Sequence, residues 1–295
     1  MSGINFPSGY EFSCYNDINN SFNLNYIISE VETSFGYIEP YKLKIDFFPL
    51  FTSESLVNSH FLLFNKKIVG AIFCSLRKLE ISNNTFTTAC LGGIFIKEEY
   101  RGKGLFTPFF NSTLFSLQKK INPDLFLLWS ENNDLYKRFN FEEMGSTYYE
   151  HHNNPLTYKL ENFQSMPICE LSTKQLNQVK SLYNTDLVVK SLVREVSDWK
   201  NIKRISSMNI FYRLSTAGVI EAYFIKDKGM DFNGIIHEFT NDPLTKKAIE
   251  SFSKITPHKP KHSDFSIIPS ALVKISNKEA LGKINGIYFN GADCV

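Results

Sequence analysis

Cysteine is sparse and follows no spacing pattern. The five residues, Cys14, Cys74, Cys90, Cys169 and Cys294, are odd in number and include no Cys-x-x-Cys pair, which argues against a disulfide scaffold and a zinc ribbon. Long apolar runs are missing too. Nothing approaches the roughly 18 consecutive apolar residues of a membrane-spanning helix, and no apolar segment follows a basic stretch at the N-terminus. The chain is therefore expected to be soluble and cytoplasmic, with no membrane partner. Neither charge is in excess: 32 Lys and Arg stand against 30 Asp and Glu, a formal net charge of +2. Nucleic acid and anionic lipid thus have no electrostatic reason to bind. Signatures of several chemistries are absent. There is no Gly-x-Ser-x-Gly elbow and no basic-aromatic stripe for nucleic acid. His237-Glu238 has Asn241 where a zincin needs its second histidine, so no metal is expected.

What the chain does have is apolar and aromatic bulk. It is 43% hydrophobic over 295 residues, with 27 Phe and 14 Tyr, enough for two domain cores. A short strand is expected at 10–15 and a helix at 23–35, with apolar residues at Leu24, Ile27, Ile28, Val31 and Phe35; a further helical piece lies within 47–57. Strands at 60–64, 68–76 and 85–96, joined by the polar turns Asn65-Lys66-Lys67 and Ser82-Asn83-Asn84, form an antiparallel meander. A helix over 107–120 and an apolar strand at 125–129 follow, and a strand reached through a helix is placed parallel to the one before it.

The stretch from Leu91 to Phe106 connects these pieces. An apolar strand runs into Arg101-Gly102-Lys103-Gly104 and then into the helix. Glycines there let the backbone approach a phosphate while the helix N-terminus adds positive partial charge. Two nucleotide loops are excluded by spacing. A Walker loop needs Ser or Thr where Gly104 stands, and a Rossmann fingerprint needs glycine where Thr107 stands. Arg101-x-x-Gly104-x-Phe106 after a strand instead resembles the pyrophosphate-binding signature Arg/Gln-x-x-Gly-x-Gly/Ala of the GNAT acyl-CoA N-acyltransferases, and Glu99 to Leu105 resembles that family's motif A. Phe106 departs from the pattern, as in the subfamily of the enhanced intracellular survival acetyltransferases. Downstream, Ser130 to Phe141 resembles motif B, with Asn140 in place of the usual glycine.

The resemblance implies an α/β (α+β) GNAT fold. Its mixed, mostly antiparallel sheet has two parallel strands that splay apart to admit acyl-CoA. It also implies acetyl-CoA as cosubstrate, with the backbone of Ile94, Phe95 and Ile96 on the pantetheine arm. The N–H groups of Arg101, Gly102, Lys103, Gly104, Leu105 and Phe106 would hold the pyrophosphate. Tyr136, at the tyrosine position of motif B, would protonate the leaving thiolate, since a phenol is protonated at neutral pH. A strand N–H near Phe95 would meet the oxyanion. No general base stands out; Glu98 and Glu99 are expected in solvent, with Glu131 and Asp134 nearer the chemistry. The expected activity is N-acetyl transfer to a primary amine of a small molecule or peptide. The alternative is a non-catalytic module that binds acyl-CoA or a protein.

The second half repeats the order of the first. Helices near 176–182 and 187–196 precede strands at 210–214, 218–225 and 232–239, a helix at 243–252 and apolar runs at 265–268 and 271–275. Two GNAT-like domains in tandem are expected, 1–155 binding acyl-CoA and 156–295 degenerate and closing the acceptor cleft. Thr240-Asn241-Asp242-Pro243 stands where a phosphate loop would be, so the second half should not bind acyl-CoA. His237 is expected to be a core histidine, and His258 and His262 to be exposed.

Overall fold

The computed structural model describes residues 6–18, 23–81, 84–130, 132–145, 147–150, 162–185, 192–252, 255–256, 265–268 and 271–276. The strands in chain order are β1 (Tyr10–Cys14), β2 (His60–Phe64), β3 (Lys67–Ile81), β4 (Asn84–Ile96), β5 (Leu125–Leu128), β6 (Glu142–Met144) and β7 (Thr147–Glu150). They continue with β8 (Gln164–Pro167), β9 (Asn209–Leu214), β10 (Ile220–Lys226), β11 (Ile236–Phe239), β12 (Ile255–Thr256), β13 (Phe265–Ile268) and β14 (Ala271–Ile275). The chain divides into two compact units. One holds the residues up to Glu142 together with those from Leu272 onward in the last strand, and the other holds Glu143–Ala271.

A seven-stranded sheet in the order β1-β2-β3-β4-β5-β14-β6 forms the first unit's centre. The meander β2-β3-β4 is antiparallel, and Asn65 and Lys66 make its first turn with φ of 48° and 61°, the left-handed pair a two-residue hairpin needs. β4 and β5 pair in parallel only from Thr88↔Leu125 to Cys90↔Leu127. Past that point β5 ends while β4 continues to Ile96, so the parallel strands part as the resemblance implied. The helix Phe106–Lys120 packs on the sheet through Phe109, Phe110, Leu114 and Leu117.

β14 falls between β5 and β6, with Leu272↔Leu128 and Lys274↔Phe126 antiparallel. The single boundary expected after residue 155 is therefore not how the chain divides: β5 would otherwise keep an open edge, and a late segment of the chain fills it.

In the second unit β11-β10-β9-β8 form one antiparallel sheet and β12-β7-β13 another. A helix, Pro243–Phe252, follows the meander β9-β10-β11 as expected. The strands after it, β12 and β13, both pair with β7 in the other sheet. The helical stretch placed at 187–196 lies partly outside the described residues, and the helix there spans Val196–Ile202. The strand expected over 232–239 shortens to β11, because Phe232 N–H turns back to the Lys228 carbonyl (3.3 Å).

Among the described residues each unit buries one histidine. His60 stacks on Phe12 (centroids 5.0 Å apart), with Nε2 2.9 Å from Ser116 Oγ. Burial, reinforced by the charge of Lys120, pushes its pKa down to about 4. His237 is fully buried against Phe232. Burial, with Lys228 and Arg194 nearby, pushes its pKa down to about 3. Both folded values lie below the ordinary 6.5. Each neutral imidazole thus contributes stability that is fully present above pH 6.5 and lost as pH falls toward the folded value. A fall from about pH 7 to about pH 5 is expected to cost roughly 2 kcal/mol per histidine. Urea midpoints at the two pH values check this, and His237→Phe should remove that unit's share.

Candidate functional site

β4 does not run straight into its loop. Ala71 pairs with Phe95, but two residues later Phe73 pairs with Gly92, so one extra residue is accommodated on β4 at Gly93. Its φ is +54°, and a Cβ there would sit 2.9 Å from Phe73 Cδ2, so both conformation and space select glycine. The bulge breaks the in–out alternation, and Ile94, Phe95 and Ile96 all reach one cavity.

The loop is braced from below. Arg101 Nε donates to the Ile96 carbonyl (2.8 Å) and Arg101 N–H to that of Glu98 (3.0 Å). Arg101 therefore closes the turn, and its N–H is already used. Tyr100 packs on Phe64 (5.7 Å) and carries Lys103 Nζ above its ring (4.9 Å). Gly102 and Gly104 have φ of +73° and +71°, so left-handed residues alternate along the loop and turn successive N–H groups inward, as in an anion-binding nest.

The helix that follows has no side-chain cap: Leu105 is its N-cap residue, and Pro108 supplies no N–H. Among the described residues no acceptor meets the N–H groups of Gly102, Lys103, Gly104, Leu105, Phe106 or Thr107. Six consecutive free donors at the positive end of a 15-residue helix are a strong anion site. The half-buried Phe106 ring stacks on Phe110 (5.4 Å), meets Phe139 (5.8 Å) and Tyr136 (6.0 Å) edge-on, and also lines the adjoining cavity.

Tyr136 sits on the short helix Asn133–Lys137, capped where Asn132 Oδ1 accepts from Leu135 N–H (3.3 Å). At its other end Asn140 takes the left-handed conformation, φ +63°. Phe141 N–H bonds the Tyr136 carbonyl (3.4 Å) and Asn140 N–H that of Lys137 (3.0 Å). This is a Schellman closure, and the apolar contact it favours is the Phe141–Tyr136 ring pair at 6.3 Å. Tyr136 is 7% exposed, and burial pushes its pKa up to about 12. Its hydroxyl bonds no described residue and is not sealed in the core, which leaves it open to the cavity.

The cavity measures about 570 Å³ and is lined by Ile94, Phe95, Ile96, Arg101, Gly102, Gly104, Leu105, Phe106 and Tyr136. Of the residues expected to hold acyl-CoA or to protonate the thiolate, only Lys103 is off the wall. Ser34, Phe35, Thr107, Asn132, Leu135 and Arg138 also line it. Ser34 and Phe35 end the helix Leu24–Phe35, and no local motif marks them. Arg138 lies over Phe106 (5.8 Å) and Phe139 (5.2 Å). Among the described residues the wall carries no carboxylate: Glu98 and Glu99 are exposed, and Asp134 pairs with Lys137 (3.1 Å) in solvent. Glu131 lies outside the described residues.

The matching corner of the second unit is built differently. Asp242 Oδ1 accepts from Thr245 N–H (3.0 Å), capping the helix Pro243–Phe252, and pairs with Arg213 (3.1 Å). Burial opposes its ionisation, yet bonds from Thr245, Thr240 and Arg213 outweigh that and hold the carboxyl below its usual range. An anion thus already occupies the helix start where the first unit offers free N–H groups. His258 and His262 lie outside the described residues.

The model of the GNAT acetyltransferase domain matches residues 20–144. No curated protein matches the chain in sequence. Among solved structures, a probable N-acyltransferase from Enterococcus faecalis is similar at TM-score 0.60 and 14% identity, over 93% of this chain and 74% of that one. A GCN5-related N-acetyltransferase from Anabaena variabilis is similar at 0.57 and 13%, over 91% and 73%. Eis1 from Mycobacterium abscessus is similar at 0.53 and 10%, over 94% and 76%. Parted parallel strands, a glycine nest opening a helix and the matching family model together identify residues 20–144 as a domain of the GNAT acetyltransferase family.

Proposed function

We propose that the protein is an acyl-CoA-dependent N-acyltransferase that moves an acetyl group from acetyl-CoA to a primary amine of a small molecule or peptide. One observation carries this reading: Gly102, Gly104, Leu105, Phe106 and Thr107, whose N–H groups meet no acceptor among the described residues, line one cavity with Tyr136. The nest holds the pyrophosphate, and the gap beyond Cys90 and Leu127 takes the pantetheine arm along Ile94, Phe95 and Ile96. The amine nitrogen attacks the thioester carbon, the carbonyl becomes an oxyanion, and the C–S bond breaks as the carbonyl re-forms. Tyr136 gives its proton to the departing sulfur, and the proton lost by the acylated nitrogen returns to the phenolate through water. With a pKa of about 12 the phenol stays loaded throughout the neutral range. With no carboxylate on the described wall, the amine enters as its free base. The second unit, its helix start capped by Asp242, leaves acyl-CoA to the first.

Thiol release over a panel of primary amines tests the reading. Tyr136→Phe should lower kcat by up to about 100-fold with little change in KM for acetyl-CoA. Activity should not decline with alkaline pH through about pH 10, since a raised phenol pKa puts loss of the acid beyond that. Unchanged kcat in the variant removes Tyr136 from the mechanism.

A further inference from the structure

We propose that Lys274 is a positioning residue for Tyr136, acting through the Phe139 carbonyl, so that a strand encoded far downstream completes the acyl-transfer site. The inference rests on the reading of Tyr136 as general acid. A helix of five residues, Asn133–Lys137, cannot hold its shape alone, so Tyr136 is only as well placed as the helix ends. The start is fixed by Asn132. At the finish, the Schellman closure satisfies the carbonyls of Tyr136 and Lys137 and does not use that of Phe139, just before left-handed Asn140. Lys274 Nζ donates to this carbonyl at 2.9 Å, from 135 positions away in sequence. A cation at a helix C-terminal carbonyl is favoured by both the hydrogen bond and the helix dipole.

The strand makes this reach possible. Leu272 and Lys274 lie two apart and so on one face of β14. Leu272, 1% exposed, belongs to the same core cluster as Tyr136, Phe139 and Phe141. Register fixes both, with Leu272 opposite Leu128 and Lys274 opposite Phe126. Phe139 in turn meets Phe106 at 5.8 Å, and Phe106 meets Tyr136 at 6.0 Å. Loss of the ammonium frees the turn that orients the phenol, while Arg101 and Tyr100 still brace the loop of the nest.

The test uses the full chain with acetyl-CoA and the most active amine of the panel, or water if none is active. Lys274→Met is expected to lower kcat about tenfold, as misplacing a reacting group does, with KM for acetyl-CoA within about twofold. Lys274→Arg, which still donates to the carbonyl, should recover kcat to within about threefold. Combined with Tyr136→Phe, Lys274→Met should cost nothing further, because the group it positions is gone. A tenfold loss that persists in the Tyr136→Phe background, or wild-type kcat in folded Lys274→Met, overturns the proposal. If Lys274→Met does not fold, the same cycle is read on Lys274→Gln, with a loss of about threefold expected and again none beside Tyr136→Phe. A wild-type chain that releases no thiol above buffer instead sinks the acyltransferase reading itself.

Discussion

Gly104→Asp is expected to weaken acetyl-CoA binding by at least about 100-fold while leaving the fold intact, for two additive reasons. Gly104 has φ of +71°, and a Cβ there would meet nothing within 4 Å. No clash disturbs the core, and the backbone strain is on the order of 1–2 kcal/mol. The larger part comes from charge: a carboxylate beside the six free N–H groups would take the donors meant for pyrophosphate and repel it. Gly104→Ala separates the two, since it keeps the strain and adds no charge; a loss of roughly tenfold is expected there. Calorimetric titration gives the affinities, and melting temperatures show whether the fold survives. Equal binding by Gly104→Asp and wild type would mean that the nest does not hold the ligand.

The second large effect lies in the other unit and concerns stability. Arg194 Nη1 and Nη2 fork onto Glu238, at 3.2 and 2.5 Å, with both side chains fully buried. Tyr223 donates a third bond to the carboxylate (3.0 Å), and the guanidinium lies over Tyr183 (4.2 Å) and Trp199 (4.8 Å). Burial, then the Glu238 charge, pushes the Tyr223 phenol well above its ordinary pKa, so it remains a donor. Arg194→Met strands a carboxylate in a closed core and is expected to cost about 3–5 kcal/mol. Replacing both partners, Arg194→Met with Glu238→Leu, should recover most of that, because neither member of the pair is then left buried without the other. Denaturant unfolding of the three chains decides. A double variant less stable than Arg194→Met would show that the pair contributes net stability of its own.

Much of the first unit can be read from local signals. Apolar alternation and short polar turns place β2, β3 and β4, and the Gly102-x-Gly104 pair before an apolar helix marks the nest. Asn140 carries its left-handed turn because asparagine tolerates that conformation better than any residue except glycine. Other features depend on partners far off in the chain. β8 contains serine and glutamine and ends on Pro167, and only its place at the sheet edge makes that composition tolerable. β14 is visible as an apolar run, but nothing local says that it pairs with β5 and not with the strands beside it in sequence. The direction of the Phe106 ring is set by Phe110 and Phe139, so the sequence shows a bulky residue at a glycine position without showing what it packs on. The role of Arg101 differs in the same way, since the Ile96 carbonyl that engages its side chain is exposed only by the turn. The capping of the second unit by Asp242 was half visible: the missing glycines are plain in Thr240 to Pro243, the hydrogen bond to Thr245 is not.

The central claim is that the loop from Gly102 to Thr107 binds the pyrophosphate of an acyl-CoA. Calorimetric titration of the full chain with acetyl-CoA and, separately, with S-acetylpantetheine, which has the thioester arm and no pyrophosphate, tests it most directly. Saturable binding of acetyl-CoA is expected, with S-acetylpantetheine at least about 100-fold weaker, the worth of one to two charge-assisted hydrogen bonds. Absence of acetyl-CoA binding at high concentration, or equal affinity for the two compounds, would contradict it.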